Sequence, residues 1–238
     1  GMSGSVLGDF RAVARPHRIV LPPPASHPMC LADVAAEISR GNRVLLLMRH
    51  AERPHLSLED PTFGFDLPLT EAGTAAAEAA GKILAPLAGS VQFRSSPMAR
   101  CRLTAAAVAR GMGLPDAEIP TDPVLGAGTH YFADAHRVFE TIRDRGFWEP
   151  MMEYLGTGRC DGFGERDAAT DANEAHLLPL FTAKLGVFTS HDSHIAAFLT
   201  SRRAGVPYDR AHWISFLGSA AIIIAPDGFR RYVYCAPR

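Results

Sequence analysis

Three arginines, two histidines and an aspartate are spaced in this chain as residues that handle a phosphoryl group could be. In "VLLLMRHAERPHL" (44–56) an apolar run stops at Arg49-His50, and Arg53 follows three residues later. An apolar run bounded by polar residues reads as a buried strand. That accounts for Val44 to Met48 but not for the cationic side chains at the exit, which call for something anionic. "SSPMARCRLTA" places Arg100 in the first turns of another element, and "GVFTSHDSH" ends a second apolar run in Ser190-His191-Asp192. Arginine offers fixed planar forks to oxyanions and stays charged. Histidine near neutral pH offers an unprotonated nitrogen as nucleophile. A second, protonated histidine would bind the equatorial oxygens that carry charge during phosphoryl transfer. A carboxylic acid would protonate the leaving alkoxide and then activate water.

These residues need elements that bring them together. "LADVAAEISRG" (31–41) reads as a helix closed by Gly41, followed by a strand over 43–49. "LTEAGTAAAEAAGKILAPL" reads as a helix with Thr70 as N-cap. A strand over 90–96 leads into a helix with Ser96 as N-cap and Pro97 at its first position. Residues 127–185 read as mostly helical, broken by the loop "GTGRCDGFGERD", before a strand at 186–191 and a helix at 193–204. "SAAIIIAPDGFRRYVYCA" reads as a hairpin around Pro226-Asp227-Gly228. This alternation predicts a three-layer α/β/α fold with a mostly parallel central sheet, a helical lid insertion over about 127–185 and a C-terminal antiparallel hairpin. Residues 1–30, with "LPPPASHP", are expected to form an extended segment ahead of one domain at 31–238. Ligands of open parallel sheets bind outside the carboxyl ends of the strands. If the three strand exits adjoin, Arg49, His50, Arg53, Arg100, His191 and Asp192 converge there.

Bulk properties narrow the partners. The 238 residues carry a net charge of -1, so nothing draws the whole chain to nucleic acid or to a membrane surface, and neither is expected as a partner. No apolar run is long enough to span a bilayer, and no signal peptide is read at the N-terminus. Cys30, Cys101, Cys160 and Cys235 are scattered without a CxxC pair and read as free thiols, which makes the cytoplasm the expected compartment. His191-Asp192-Ser193-His194 also offers metal-ligating types. Three nearby arginines would repel a cation, so neither a metal nor another cofactor is expected.

Taken together, "LMRHAER", "LPLTEAG", "SSPMARCRLTA" and "TSHDSH" resemble, in this order, the histidine phosphatase superfamily, which also contains the phosphoglycerate mutases. The family's arginine–histidine–glycine motif stands here as Arg49-His50-Ala51. The resemblance implies that His50 is the nucleophile, that Arg49, Arg100 and His191 form the phosphate pocket, and that Arg53 matches an extra pocket arginine of the acid-phosphatase branch. The proton donor separates the branches. The mutase-like branch uses a glutamate after the second arginine, but "PVLGAGTHYF" holds no carboxylate. The acid-phosphatase branch uses an aspartate directly after the second histidine, where Asp192 stands. Asp192 is therefore the expected donor, with Glu118, Asp134 and Glu165 as alternatives. The implied activity is metal-independent hydrolysis of a phosphate monoester through a phosphohistidine. The substrate would be a small-molecule ester or a phosphoprotein, and phosphate, sulfate or vanadate would be site ligands. A mutase-type phosphotransferase or a phosphohistidine protein phosphatase would use the same residues. The rival outside enzymes is an inactive phosphate-binding or scaffold module, which needs neither a nucleophile nor a donor. The aromatics of "THYF" and "GFWEP" and the "GRCDGFGERD" loop are expected to shape specificity.

Overall fold

Val44, Leu46 and Met48 turn to one face of strand β2 (Arg43–Arg49), Leu45 and Leu47 to the other, and both sets are buried. A strand covered on both faces belongs in the middle layer of a sandwich. The computed structural model describes residues 29–205 and 207–238. The expected N-terminal segment lies outside them, apart from Met29–Cys30, which form strand β1. With β3 (Val91–Ser95), β4 (Leu185–Ser190), β5 (Ser219–Ile224) and β6 (Arg230–Ala236), the sheet order is β1-β6-β5-β2-β4-β3. β2, β3 and β4 pair in parallel, as do β1 and β6; β5 alone runs against its neighbours.

On the Val44 face lie α1 (Val34–Ser39), α2 (Glu71–Leu84) and α3 (Ala99–Gly111). α2 and α3 touch backbone to backbone. A Cβ on Gly81 would stand 2.1 Å from the Val108 carbonyl oxygen, and one on Gly111 would stand 2.0 Å from that of Glu78. Only glycine permits this approach, and the alanines of both helices suit it. Thr70 caps α2 as expected, accepting from the Gly73 amide at 2.9 Å. α3 starts later than its sequence indicates. Met98 is the N-cap, because the Ser96 amide still donates to the Thr189 carbonyl and extends the sheet pairing.

The Leu45 face is covered by α5 (Trp148–Thr157), α6 (Arg166–Leu177) and α7 (Asp192–Ser201). The segment 127–185 therefore divides. Met151, Tyr154, Ala169 and Leu177 of α5 and α6 are core residues of the third layer, while α4 (Ala135–Arg145) packs with Phe63 from the loop before α2. Glu174, 3% exposed, accepts from Arg202, Arg230 and Tyr232, which clips α6 to the end of α7 and to β6. A buried carboxylate survives only with partners of this kind. No helix among the described residues is long and apolar enough to cross a membrane.

Candidate active site

Sheet register does the first part of the assembly. Arg49 at the exit of β2 pairs with Ser190 at the exit of β4, and the His50 amide donates to the Ser190 carbonyl at 3.1 Å. His50 and His191 thus leave adjacent strands side by side, with ring centroids 5.7 Å apart. Ser95 closes β3 against Thr189, and α3 follows with Arg100 in its first turn. Thr104 then ties α3 to β2: its hydroxyl accepts from the Ala51 amide at 2.9 Å and donates to the Arg100 carbonyl at 2.7 Å. Ala51 does not have a positive φ, so its backbone needs no glycine. All six expected residues line one cavity of about 770 Å³.

Hydrogen bonding fixes the state of His50. Its Nδ1 lies 2.8 Å from the Ala51 carbonyl oxygen, which can only accept, so Nδ1 carries the proton and Nε2 keeps its lone pair. Burial, then Arg100 and Arg49, oppose protonation, and the imidazole is held down to about 3 despite the Ala51 hydrogen bond and the Asp192 charge. His191 is also pushed well down, by burial first and then by His194, Arg100, His50 and Arg49. A protonated second histidine is thus disfavoured here, by burial first and by the cationic neighbours second. His191 Nε2 lies 2.9 Å from the Ser96 hydroxyl.

The arginines are incompletely paired. Arg100, 5% exposed, donates from Nη1 to the carbonyls of Phe63 and Gly64 at 3.3 and 3.1 Å. Arg49 donates to the Ile214 carbonyl at 2.7 Å, lies 3.4 Å from Asp192 and has its guanidinium over the Phe216 ring at 4.1 Å. The Nε atoms of Arg49, Arg53 and Arg100 are all buried without an acceptor. Three guanidiniums share one carboxylate, so the cavity floor is cationic in a chain whose net charge is -1. Such donors suit a tetrahedral oxyanion.

Asp192 accepts from Trp213 Nε1 at 2.7 Å and from the Ser193 amide at 2.8 Å. Burial raises its proton affinity. Arg49, the Trp213 hydrogen bond, His50 and the Ser193 amide outweigh that, and the carboxyl sits below its ordinary value. His194 does not form a metal site with its neighbours. Its Nε2 lies 2.8 Å from the Gly126 carbonyl and its Nδ1 3.1 Å from the Ser193 hydroxyl, and no metal-holding group of three such side chains occurs among the described residues.

The sequence model of the histidine phosphatase superfamily (branch 1) matches residues 45–125, from β2 to the loop that ends beside the cavity. Over that stretch the chain is similar to that superfamily. No curated protein matches the chain. Among solved structures, mycobacterial hydrolase 2 is similar at a TM-score of 0.54 and 17% identity, over 81% of this chain and 89% of its own. Mycobacterial hydrolase 1 follows at 0.52 and 14%, over 80% and 96%. A mycobacterial glucosyl-3-phosphoglycerate phosphatase follows at 0.51 and 14%, over 81% and 96%. At these identities the likeness establishes the shared α/β fold.

The alternative acids lie elsewhere. Asp134 caps α4 through the Arg137 amide, Glu165 caps α6 through the Asp167 and Ala168 amides, and Glu118 is exposed. Among the described residues Asp192 is the only carboxylic acid in the cavity lining. Sequence reasoning missed Ser96, Thr104, Trp213 and Phe216. Of these, only Ser96 and Thr104 lie in a motif that drew attention, and Ser96 was read there as a cap. The "GRCDGFGERD" loop does not line the cavity, whereas Phe132, Phe147 and Trp148 do.

Proposed function

We propose that the chain hydrolyses a small-molecule phosphate monoester through phospho-His50. The observation that carries this reading is the His50 tautomer, whose free Nε2 belongs to a buried ring beside Arg49, Arg53 and Arg100 in the cavity. The phosphoryl oxygens engage Arg49, Arg53, Arg100 and His191, and the incoming negative charge raises the proton affinity of His191 and Asp192. Nε2 of His50 attacks phosphorus in line with the ester oxygen. An ionised Asp192 takes the proton that a monoanionic ester brings and delivers it to the leaving oxygen, so the P–O bond breaks without releasing an alkoxide. The same carboxylate then takes a proton from water, which attacks the phosphohistidine and frees phosphate and His50.

His50 is 2% exposed and His191 8%, which favours a small ester over a phosphohistidine on a folded protein surface. Beyond the floor the cavity offers few polar side chains for the second charged group of a mutase substrate. The four free thiols, three of them buried, fit a reducing cytoplasm in this reading. The test is to mix enzyme briefly with a ³²P-labelled ester and quench in alkali. Acid-labile label on His50 is expected, and none in folded His50→Ala. Label on another residue, or turnover by His50→Ala, overturns the mechanism.

A further inference from the structure

Resting on that phosphatase reading, we infer that the alcohol released is a bulky, ring-bearing apolar group rather than a sugar, a glycerate or a hydroxylated amino acid. The cavity, about 770 Å³, is as large as pockets that hold drug-sized ligands. A phosphoryl group needs only its cationic floor. The rest is walled by Leu58, Phe63, Phe139, Phe147, Trp148 and Trp213. Phe63 is buried against Phe139, whereas Leu58, Phe139, Phe147, Trp148 and Trp213 are only half-buried, so apolar surface of the wall remains uncovered. Their positions are fixed by one another. Phe147 and Trp148 meet edge to face at 5.0 Å, Trp148 and Trp213 at 4.9 Å, and Phe63 and Phe139 lie 4.6 Å apart.

The polar inventory points the same way. Trp213 brings the wall's indole N–H nearest the reaction, and that donor is committed to Asp192. Away from the floor the polar side chains of the lining are His55, Ser193, His194 and Arg210. Ser193 and His194 hydrogen-bond each other and His194 meets the Gly126 carbonyl, while His55 and Arg210 are exposed, with Arg210 over the Trp148 ring at 5.7 Å. A hydroxyl carried into this wall loses water without gaining a partner, which is the costly kind of burial. A fused ring loses only water it held weakly and gains contact with aromatic surface. Discrimination therefore acts on the alcohol, while the phosphate is held alike in every ester.

The test compares kcat/KM for three primary alkyl phosphates of similar leaving ability: 2-(1-naphthyl)ethyl phosphate, glycerol 1-phosphate and glucose 6-phosphate. The naphthyl ester is expected to lead both polar esters by about a hundredfold, the scale on which an apolar site separates a ring from an unpaired hydroxyl group. Trp148→Ala and the milder Phe139→Leu should each shrink that ratio about tenfold, the loss expected from removing part of an apolar contact. Hydrolysis of the polar esters at equal or higher kcat/KM overturns the inference and leaves the phosphatase reading intact. So does a ratio that neither wall substitution moves in a folded protein. If none of the three esters is hydrolysed, the phosphatase reading fails and this inference fails with it.

Discussion

Trp213 Nε1 donates to Asp192 Oδ2 at 2.7 Å, and the same oxygen lies 3.4 Å from Arg49 Nη2. The proposed donor is thus held between the apolar wall and the cationic floor, and both partners keep it ionised. Trp213→Phe keeps a ring in the wall and removes the hydrogen bond, so the Asp192 carboxyl should titrate higher. Hydrolysis of an alkyl phosphate should fall about tenfold, near the low end for losing a hydrogen bond to a charged group. An aryl ester should be nearly unaffected. Infrared titration of the carboxyl, run beside the two rate measurements, checks both parts. Equal losses on the two esters would show that Trp213 only packs the wall.

Asp192→Asn separates proton donation from phosphate binding. On an alkyl phosphate, formation of the phospho-enzyme should slow by about 10²–10⁴, the range for general acid catalysis. On p-nitrophenyl phosphate the loss should be far smaller, because that leaving group is stable as an anion. The substitution also removes the one carboxylate facing three guanidiniums, so inorganic phosphate should inhibit the variant at lower concentration than it inhibits the wild type. For the wild type, kcat/KM on the alkyl ester should fall about tenfold per unit above roughly pH 6, as the ester loses the proton that Asp192 relays. Stopped-flow rates and a phosphate inhibition series measure these effects.

Arg100 and Arg53 should differ. Arg100 is buried and anchored by two carbonyls. Arg53 is half-buried and reaches only the Pro54 carbonyl, at 3.2 Å. Arg100→Ala should cost about 10²–10³ in rate, as loss of a transition-state donor does, and Arg53→Ala less. Vanadate at a hundred times its Kd should raise the Tm of the wild type by about 5–10 °C. Melting curves of Arg100→Ala should show little of that rise.

Stability should fall on mild acidification. His50, His191 and His194 are buried with proton affinities below the ordinary histidine value, each through burial first. Below about pH 6.5 the unfolded chain takes up protons that the folded one refuses, so each ring contributes a loss of up to about 1.4 kcal/mol per pH unit. Above that pH all three rings are neutral in both states and their contribution is constant. Urea unfolding at pH 7, 6 and 5 should show the decline, and saturating phosphate should flatten it by making His191 easier to protonate. A flat profile without phosphate would mean that the rings are already charged in the folded protein.

The floor of the site was legible because each strand exit announces itself. Apolar runs end at Arg49-His50 and Ser190-His191, the short strand "SVQFRSS" ends at Ser95-Ser96, and the alternation of elements predicts that such ends adjoin. Local sequence could not reveal the wall. Trp213 and Phe216 lie between α7 and β5 in a stretch without periodicity, and their contacts with Asp192 and Arg49 exist only once distant elements pack. The charge of His191 escaped for a related reason, since a histidine's pKa follows from burial and from neighbours far along the chain. Within 127–185 the sequence does not say which helices face the sheet: α5 and α6 are amphipathic either way, and only packing places Met151, Tyr154 and Leu177 in the core. The start of α3 was misplaced because Ser96 resembles a cap, while its hydroxyl meets His191.

Phe63 has a left-handed backbone with φ of 50°, a conformation that favours glycine. Its carbonyl holds Arg100 while its ring packs on Phe139 in the cavity wall. In the proposed reading one residue thus serves anion affinity through its main chain and alcohol recognition through its side chain, which restricts how the site can be redesigned. Replacing Phe63 to admit a different alcohol relaxes or rebuilds the turn that aims Arg100, so gains in selectivity there would come with weaker phosphate capture. Leu58, Phe147 and Trp148 carry no such double duty: among the described residues none of them hydrogen-bonds Arg49, Arg53 or Arg100, and the Leu58 carbonyl accepts only from Arg143, at 3.2 Å, outside the cavity lining. Libraries aimed at new esters should begin at those three positions and leave Phe63 fixed.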